Sequence, residues 1–191
     1  TPNAGVSGMD TLTCQASNAE GDSPIATVTI LILPPFGPEK IRAANPAFAD
    51  QFGTSLCVEG DWLAVGARGK YSGGTRSGVV YLFHHDGAQW VEAKEIVPDD
   101  AASNDYFGCA VGLSGDTLVV GAYGKDNEAG TYADFGAAYV FERDQGGAGN
   151  WGQVVRVVPR YLSPYDEFGR ALAIDGDVLV VGAPGDDRGG N

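Results

Sequence analysis

The sequence has no apolar run long enough to cross a membrane and no cysteine pattern typical of a metal site or a disulfide-rich scaffold. Its apolar stretches all fall short of the roughly 18 residues that a membrane-spanning helix needs. The only cysteines are Cys14, Cys57 and Cys109, and no CxxC pair occurs among them. The cysteine content therefore does not indicate a redox compartment, and whether any of the three forms a disulfide stays open.

Positive charge is also scarce. The chain has 12 Lys and Arg residues against 25 Asp and Glu residues, which gives a formal net charge of −13. Such a surface repels phosphate backbones and anionic lipids. The sequence therefore predicts neither nucleic-acid binding nor membrane insertion. The acidic excess is typical of solvated surface loops, and it leaves cation binding open.

Glycine is abundant, and no stretch shows a sustained helical period of apolar residues. The 29 glycines indicate many tight turns, and the valines and aromatic residues between them favour pleated strands. This pattern predicts an all-β protein with many turns.

One segment occurs three times in the chain. The copies are FGTSLCVEGDWLAVGA at 52–67, FGCAVGLSGDTLVVGA at 107–122 and FGRALAIDGDVLVVGA at 168–183. In each copy the glycine of Gly-Ala follows the phenylalanine by 14 residues, and the copies begin 55 and 61 residues apart. The pattern GxxYxF also recurs, at 78–83 and 136–141. A period in this range indicates a propeller, a solenoid or another array.

Each repeat divides into four short strands. In the first repeat they are predicted at Thr54–Val58, Trp62–Ala67, Gly78–His84 and Trp90–Val97. A tight Gly-Asp turn joins the first two strands. The continuous apolar run Leu118–Val120 predicts a sheet that is covered on both faces. Because four-stranded blades stacked around an axis form a β-propeller, the sequence predicts antiparallel blades of a partial β-propeller.

The first strand of each repeat alternates large and small side chains. The large positions are Leu56/Val111/Leu172 and Val58/Leu113/Ile174, and the small positions are Ser55/Ala110/Ala171 and Cys57/Gly112/Ala173. This alternation fits the tapering wedge between the inner strands of neighbouring blades. Cys57 is interpreted as a small buried hydrophobe. Cys109 shares its column with Thr54 and Arg170, so it is expected to be more exposed.

These motifs closely resemble the FG-GAP repeat. The residues that carry the resemblance are Phe52, Gly53, Gly66, Phe107, Gly108, Gly121, Phe168, Gly169 and Gly182. The family's repeats build the seven-bladed propeller of integrin α subunits and of many bacterial surface proteins, so the resemblance implies adhesion and not catalysis. Integrin-type repeats often hold calcium in a DxDxDG loop. Here that loop is only EGD, SGD or DGD, as in the bacterial branch of the family, and calcium is not carried over.

The repeats are predicted to occupy residues 40–191, as units 40–97, 98–158 and an incomplete 159–191. Residues 1–33 contain two strand-like runs, Ser7–Cys14 and Ala26–Leu33, and resemble the last hairpin of an immunoglobulin- or cadherin-like module. The Pro-rich segment 34–39 is predicted to be a stiff linker. The first residues lack the features of a signal peptide, so a secretion signal is expected upstream of this segment.

Candidate chemical motifs receive structural interpretations. Asp50, Asp105 and Asp166 each precede a repeat phenylalanine by two residues, which is typical of acids that cap backbone amides. The segments GARGK at 66–70 and GAYGK at 121–125 lack the other residues of a phosphate-binding loop and are interpreted as turns. No GxSxG motif presents a nucleophile. The paired acids at 99–100 and 166–167 precede Phe-Gly at equivalent places in the repeat, so they are interpreted as architecture.

Two acidic loops are candidates for a cation. They contain Asp126 and Asn127 in one loop and Asp186 and Asp187 in the other, whose side chains are oxygen donors of the kind calcium prefers. No cofactor is expected to be required, and calcium is the one metal that these loops leave open.

The sequence therefore predicts a non-catalytic, extracellular or cell-surface module that makes structural or adhesive contacts. Its expected partner is a protein, matrix or glycan ligand, or a neighbouring copy joined by strand exchange through Ala26–Leu33. The alternative is a carbohydrate-binding or hydrolytic β-propeller.

Overall fold

A computed structural model describes residues 28–30, 39–72, 75–126, 134–161 and 163–187. All regular structure in these ranges is β, which confirms the predicted fold class. The strands are β1 Val28–Ile30, β2 Glu39–Ile41, β3 Phe52–Glu59, β4 Trp62–Ala67, β5 Val79–His85, β6 Trp90–Ile96, β7 Ala110–Ser114, β8 Thr117–Ala122, β9 Ala137–Arg143, β10 Trp151–Val157, β11 Ala171–Asp175 and β12 Val178–Gly182. None of the described segments forms a helix that could cross a membrane.

The strands of each repeat form one antiparallel sheet. Blade 1 has the order β3-β4-β5-β6, blade 2 the order β7-β8-β9-β10, and blade 3 consists of β11 and β12 in the described residues. The four predicted strands of the first repeat are all present, with ends within two residues of the prediction. Period-2 alternation and the Gly-Asp turns were therefore enough to place the blades.

Each repeat phenylalanine is the centre of the core on its own blade. Phe52, Phe107 and Phe168 are all buried. The Phe107 ring meets the rings of Tyr139 and Phe141 edge-on, with centroids 5.5 and 6.0 Å away. The ring of Phe52 makes the same contacts with the Tyr-x-Phe pair of blade 1. The Phe-Gly and GxxYxF motifs recur together because their aromatic rings pack on one another.

Neighbouring blades are joined where one blade's third strand begins. Gly78 forms a parallel bridge with Phe107, and Gly136 forms one with Phe168. The amide of Phe107 donates to the carbonyl oxygen of Ser77 at 2.9 Å. At Gly108 (φ +84°) an added Cβ would lie 2.7 Å from the carbonyl oxygen of Val79, so this close approach requires glycine.

The large and small positions of the inner strands separate onto two faces, and the blades stack large face to small face. Val111 and Leu113 of blade 2 are 9% and 6% exposed and share a core with Ala64 and Val80 of blade 1. Leu172 of blade 3 likewise reaches the small position Gly112 of blade 2. The wedge that the alternation predicts is thus formed between successive blades.

A short ladder lies before the first blade. Val28–Ile30 pairs antiparallel with Glu39–Ile41, so the last residue of the predicted linker belongs to a strand. Ile41 and Ala43 are buried against the large face of blade 1. The run Ser7–Cys14, expected to form a hairpin with Ala26–Leu33, lies outside the described residues.

The expectation that Cys109 is more exposed than Cys57 is wrong. The Cys109 thiol donates to the carbonyl oxygen of Gly169 at 3.3 Å, and burial raises its pKa to about 11. Cys57 is half-buried, and its sulfur accepts a hydrogen bond from the amide of Leu113. Its column in the sequence misplaced Cys109 because blade 3, and not a neighbour on its own strand, covers it.

Candidate functional site: the loop rim of the blades

Three buried aspartates organise the loops that lead into the blades. Asp50, Asp105 and Asp166 are 5%, 2% and 1% exposed. In each case one carboxylate oxygen accepts the amide hydrogen of the residue three positions earlier. These amides belong to Ala47 at 2.7 Å, Ala102 at 2.7 Å and Ser163 at 2.6 Å. The aspartates therefore cap backbone amides, as their fixed position before phenylalanine predicts.

The residues on either side of each aspartate have left-handed backbone conformations. They are Ala49 and Gln51, Asn104 and Tyr106, and Tyr165 and Glu167, with φ between 55° and 68°. Non-glycine residues rarely adopt this conformation, and the surrounding structure must hold it. The turn places the residue before each phenylalanine at the loop surface while the aspartate points inward.

In blades 1 and 2 a buried lysine pairs with the capping aspartate. The ammonium of Lys70 lies 3.0 Å from Asp50, and that of Lys125 lies 2.9 Å from Asp105. Each ammonium also donates to a backbone carbonyl, of Asn45 and Asp100 respectively. The sequence analysis interpreted these lysines only as part of turns. The signal that could have found them is their fixed position 18 residues after phenylalanine in both repeats.

Blade 3 departs from this arrangement. The residue that aligns with Lys70 and Lys125 is Asp186, which is exposed. Asp166 keeps its cap and its burial without a lysine at that position. The buried lysine–aspartate pair is therefore a property of blades 1 and 2 alone.

The second blade adds a network around Asp100. Tyr139 donates its hydroxyl hydrogen to Oδ1 at 2.9 Å, and Arg156 donates to Oδ2 at 2.6 Å. Burial acts to raise the pKa of Asp100, but these hydrogen bonds and the charge of Lys125 together hold it below its usual value. Burial raises the pKa of Asp105, because the hydrogen bond from Lys125 offsets only part of the desolvation. The equivalent hydroxyl in blade 1, on Tyr81, has no hydrogen-bond partner among the described residues.

Above these buried groups lies a continuous row of side chains, which we name the loop rim. The loop rim consists of Gln51, Arg68, Tyr106, Tyr123, Glu167 and Arg170. Within blade 2 the rings of Tyr106 and Tyr123 stack, with centroids 4.9 Å apart and an interplanar angle of 11°. Within blade 1 Arg68 donates to the side chain of Gln51 at 2.6 Å.

Contacts between blades connect this row. The Arg68 guanidinium reaches the Tyr123 hydroxyl at 3.5 Å from one side. The Arg170 guanidinium lies 5.1 Å from the centroid of the Tyr123 ring, and it forms an ion pair with Glu167. Tyr123 is thus contacted by all three blades, and burial raises the pKa of its hydroxyl. The loop rim is a half-buried tyrosine pair flanked by two arginines on an otherwise acidic chain.

The predicted cation loops are only partly described. Asp126 is exposed, and its Oδ1 accepts the amide hydrogen of Asp134 at 3.3 Å. Asn127 lies outside the described residues, and Asp186 and Asp187 are exposed neighbours in the loop after β12. Burial and the nearby charges of Asp126 and Glu167 raise the pKa of Asp134. Across the described ranges, no three His, Cys, Asp or Glu side chains are grouped to hold a metal ion.

The glycines of the three Gly-Ala pairs mark where one blade contacts the next. A Cβ on Gly66 would lie 2.0 Å from the carbonyl oxygen of Gly108, and one on Gly121 would lie 1.9 Å from that of Gly169. A Cβ on Gly182 would meet only Ala171, at 3.6 Å. The third glycine therefore belongs to a face that no described residue covers.

Comparison with known families agrees with this architecture. The FG-GAP repeat matches the chain in three places, at residues 38–83, 90–141 and 151–191. A comparison with curated protein sequences finds no match. The three matched segments coincide with the three blades and together span more than half of the sequence. The chain belongs to the FG-GAP repeat family.

Proposed function

We propose that the chain is a non-catalytic interaction module, located outside the cell or on its surface, that contacts a protein or matrix partner through its loop rim. The observation that supports this most is the tyrosine pair between two arginines, Arg68 and Arg170. Tyrosine and arginine dominate the binding energy of protein interfaces, because each combines a large contact area with hydrogen-bonding groups. The rim also extends over three blades, which gives a partner a broad platform.

The buried charges support a structural role for the conserved pattern of each repeat. In blades 1 and 2 the capping aspartate is neutralised by a lysine that is itself buried. Groups so enclosed are not positioned to act on a bound molecule. They hold the left-handed turn that presents Gln51 and Tyr106 at the rim.

The rim geometry favours a protein partner over a sugar. Sugar-binding sites use open aromatic faces, whereas the Tyr123 ring lies between the Tyr106 ring and the Arg170 guanidinium. The arginines offer hydrogen-bond donors suited to carboxylates and carbonyl groups of a polypeptide. A carbohydrate-binding or hydrolytic propeller is the alternative that the experiment must separate.

The wider setting is proposed on the same footing. Integrin-like adhesion and an extracellular location follow from the family resemblance, and residues 1–33 are proposed as the tail of an immunoglobulin- or cadherin-like module. The acidic surface, with a net charge of −13, disfavours nucleic acid and membrane as partners. We propose that no cofactor is required for binding.

Binding to purified matrix proteins and to a glycan array tests the proposal. The chain is expected to bind a protein ligand, and Tyr106→Ala and Arg68→Ala are expected to weaken that binding at least about tenfold. Val91→Ala is the matched control, because Val91 is 44% exposed on β6 and outside the rim. Circular dichroism melting shows that each variant stays folded.

Two outcomes would overturn the proposal. Glycan binding that Tyr106→Ala abolishes would favour the carbohydrate-binding alternative. Turnover of chromogenic ester or glycoside substrates by the wild-type chain, lost in a rim variant, would favour the hydrolytic one. Equal loss of protein binding in Val91→Ala would show that the rim is not the contact surface.

A further inference from the structure

Blade 3 exposes a face that blades 1 and 2 keep buried, and we name it the open face. It consists of Ala171, Ala173, Val178, Val180 and Gly182. Val178 and Val180 are 64% and 63% exposed. At the position of Val180, Ala64 in blade 1 and Val119 in blade 2 are fully buried by the next blade. The open face is thus the same surface that receives a neighbour elsewhere in the molecule.

Blade 1 exposes the complementary surface. The large positions of its inner strand are Leu56 and Val58, and Val58 is 45% exposed. The equivalent residues of blade 2, Val111 and Leu113, are buried against blade 1. Ile41 and Ala43 cover the outer part of blade 1, so its inner part remains accessible. An accessible inner half matches the two inner strands of the open face in width.

The hairpin turns give the contact a specific register. At the first blade junction the Glu59 carboxylate accepts the amide hydrogen of Gly115 at 2.9 Å. At the second junction the Ser114 hydroxyl accepts the amide hydrogen of Gly176 at 3.0 Å. The next acceptor in this series is Asp175, and the residue of blade 1 that aligns with Gly115 and Gly176 is Gly60.

We propose that copies of this chain stack head to tail, with the open face of one copy against the inner strand of blade 1 of a second copy. In this contact Val178 and Val180 cover Leu56 and Val58 of the partner, and Asp175 accepts the amide hydrogen of the partner's Gly60. The interface continues the one between blades 1, 2 and 3, which is why a second copy is the occupant. It differs from strand exchange, since Val28–Ile30 already pairs with β2 in the same chain.

Such a contact is heterologous, because two different surfaces meet, so it can form a ring or a growing filament. The inference concerns blade faces and goes beyond the loop rim, so either proposal can fail without the other. It accounts for two apolar surfaces that a separate copy would leave in water at opposite ends of the stack.

Analytical ultracentrifugation of the 191-residue chain over a range of concentrations tests the inference. The wild type is expected to associate, and Val180→Asp and Val58→Asp are each expected to weaken association more than about tenfold. Val154→Asp is the control, because Val154 is 47% exposed on the outer strand of blade 2. It should leave association unchanged.

Mixing the two variants is the decisive measurement. Val58→Asp keeps an intact open face, and Val180→Asp keeps an intact blade 1 surface, so an equimolar mixture should form a discrete heterodimer that cannot grow. A wild type that stays monomeric at all concentrations overturns the proposal. So does a mixture that stays monomeric, or association that only Val154→Asp removes. Melting curves establish that each variant is folded.

Discussion

The ammonium of Lys125 lies 2.9 Å from a carboxylate oxygen of Asp105, and both side chains are buried. The same carboxylate caps the amide of Ala102, so one aspartate fixes both the loop and the lysine. Burial disfavours both charges, and each is tolerated because the other is present. This pair and its counterpart in blade 1 are the clearest links between the repeated sequence and the stability of the blades.

Removing the lysine should therefore be costly. Lys125→Met leaves the Asp105 carboxylate buried without its counter-ion, and we expect a loss of about 3 kcal/mol in the free energy of unfolding, measured by urea denaturation. Adding Asp105→Asn should restore much of it, since the amide oxygen can still accept from Ala102. Lys40→Met, at an exposed lysine, is the control. A change below about 0.5 kcal/mol in Lys125→Met would contradict the prediction.

Two equivalent tyrosines should respond differently to loss of their hydroxyl groups. Tyr139 donates to the ionised Asp100, so Tyr139→Phe should destabilise the chain by about 1–2 kcal/mol. Tyr81 has no hydrogen-bond partner for its hydroxyl among the described residues, so Tyr81→Phe should be neutral or slightly stabilising. Thermal denaturation of both variants decides the matter, and equal losses would mean that Tyr81 has a partner in solution.

The glycines of the Gly-Ala pairs form a matched test of blade stacking. A Cβ at Gly121 would overlap the carbonyl oxygen of Gly169, so Gly121→Ala should cost at least about 2 kcal/mol. Gly182 has an ordinary 3.6 Å contact at the same place, so Gly182→Ala should leave the free energy of unfolding nearly unchanged. Chemical denaturation of dilute protein is the measurement. A large loss in Gly182→Ala alone would contradict the assigned stacking.

Cys109 should make the fold sensitive to alkaline pH. Burial raises its pKa from 9.0 to about 11, so the folded state holds the thiol proton more tightly than the unfolded state. The resulting stability is present below pH 9 and lost as pH rises toward 11, by an amount on the order of 2 kcal/mol. In Cys109→Ser this part of the loss should vanish. If urea denaturation gives parallel pH profiles for the two proteins, the prediction is wrong.

Chelation should leave the blades intact. The turns EGD, SGD and DGD offer too few oxygens to enclose calcium, so the melting temperature with EDTA is expected to equal that with added calcium. A clear drop with EDTA would instead implicate the loops with Asp126 and Asn127 or with Asp186 and Asp187. Asp126→Asn and Asp187→Asn, tested separately, would then identify the loop.

The sequence by itself determined the blades and their caps. Strand alternation, the Gly-Asp turn and the aspartate before each phenylalanine are encoded within a few consecutive residues, where backbone preferences act directly. The 14-residue spacing then carried the same solution from one repeat to the next. The stacking of large faces on small faces also followed, because it depends on side-chain size at fixed positions of one strand.

Tertiary structure alone decided what each repeated position contacts. Lys125 reaches Asp105 across 20 residues, and Arg170 reaches Tyr123 from another blade, which no local pattern encodes. Cys109 is buried only because Gly169 lies against it. Repeated residues such as Val119 and Val180 share a sequence environment, yet one is buried and the other exposed, because burial depends on which blade stands next to them.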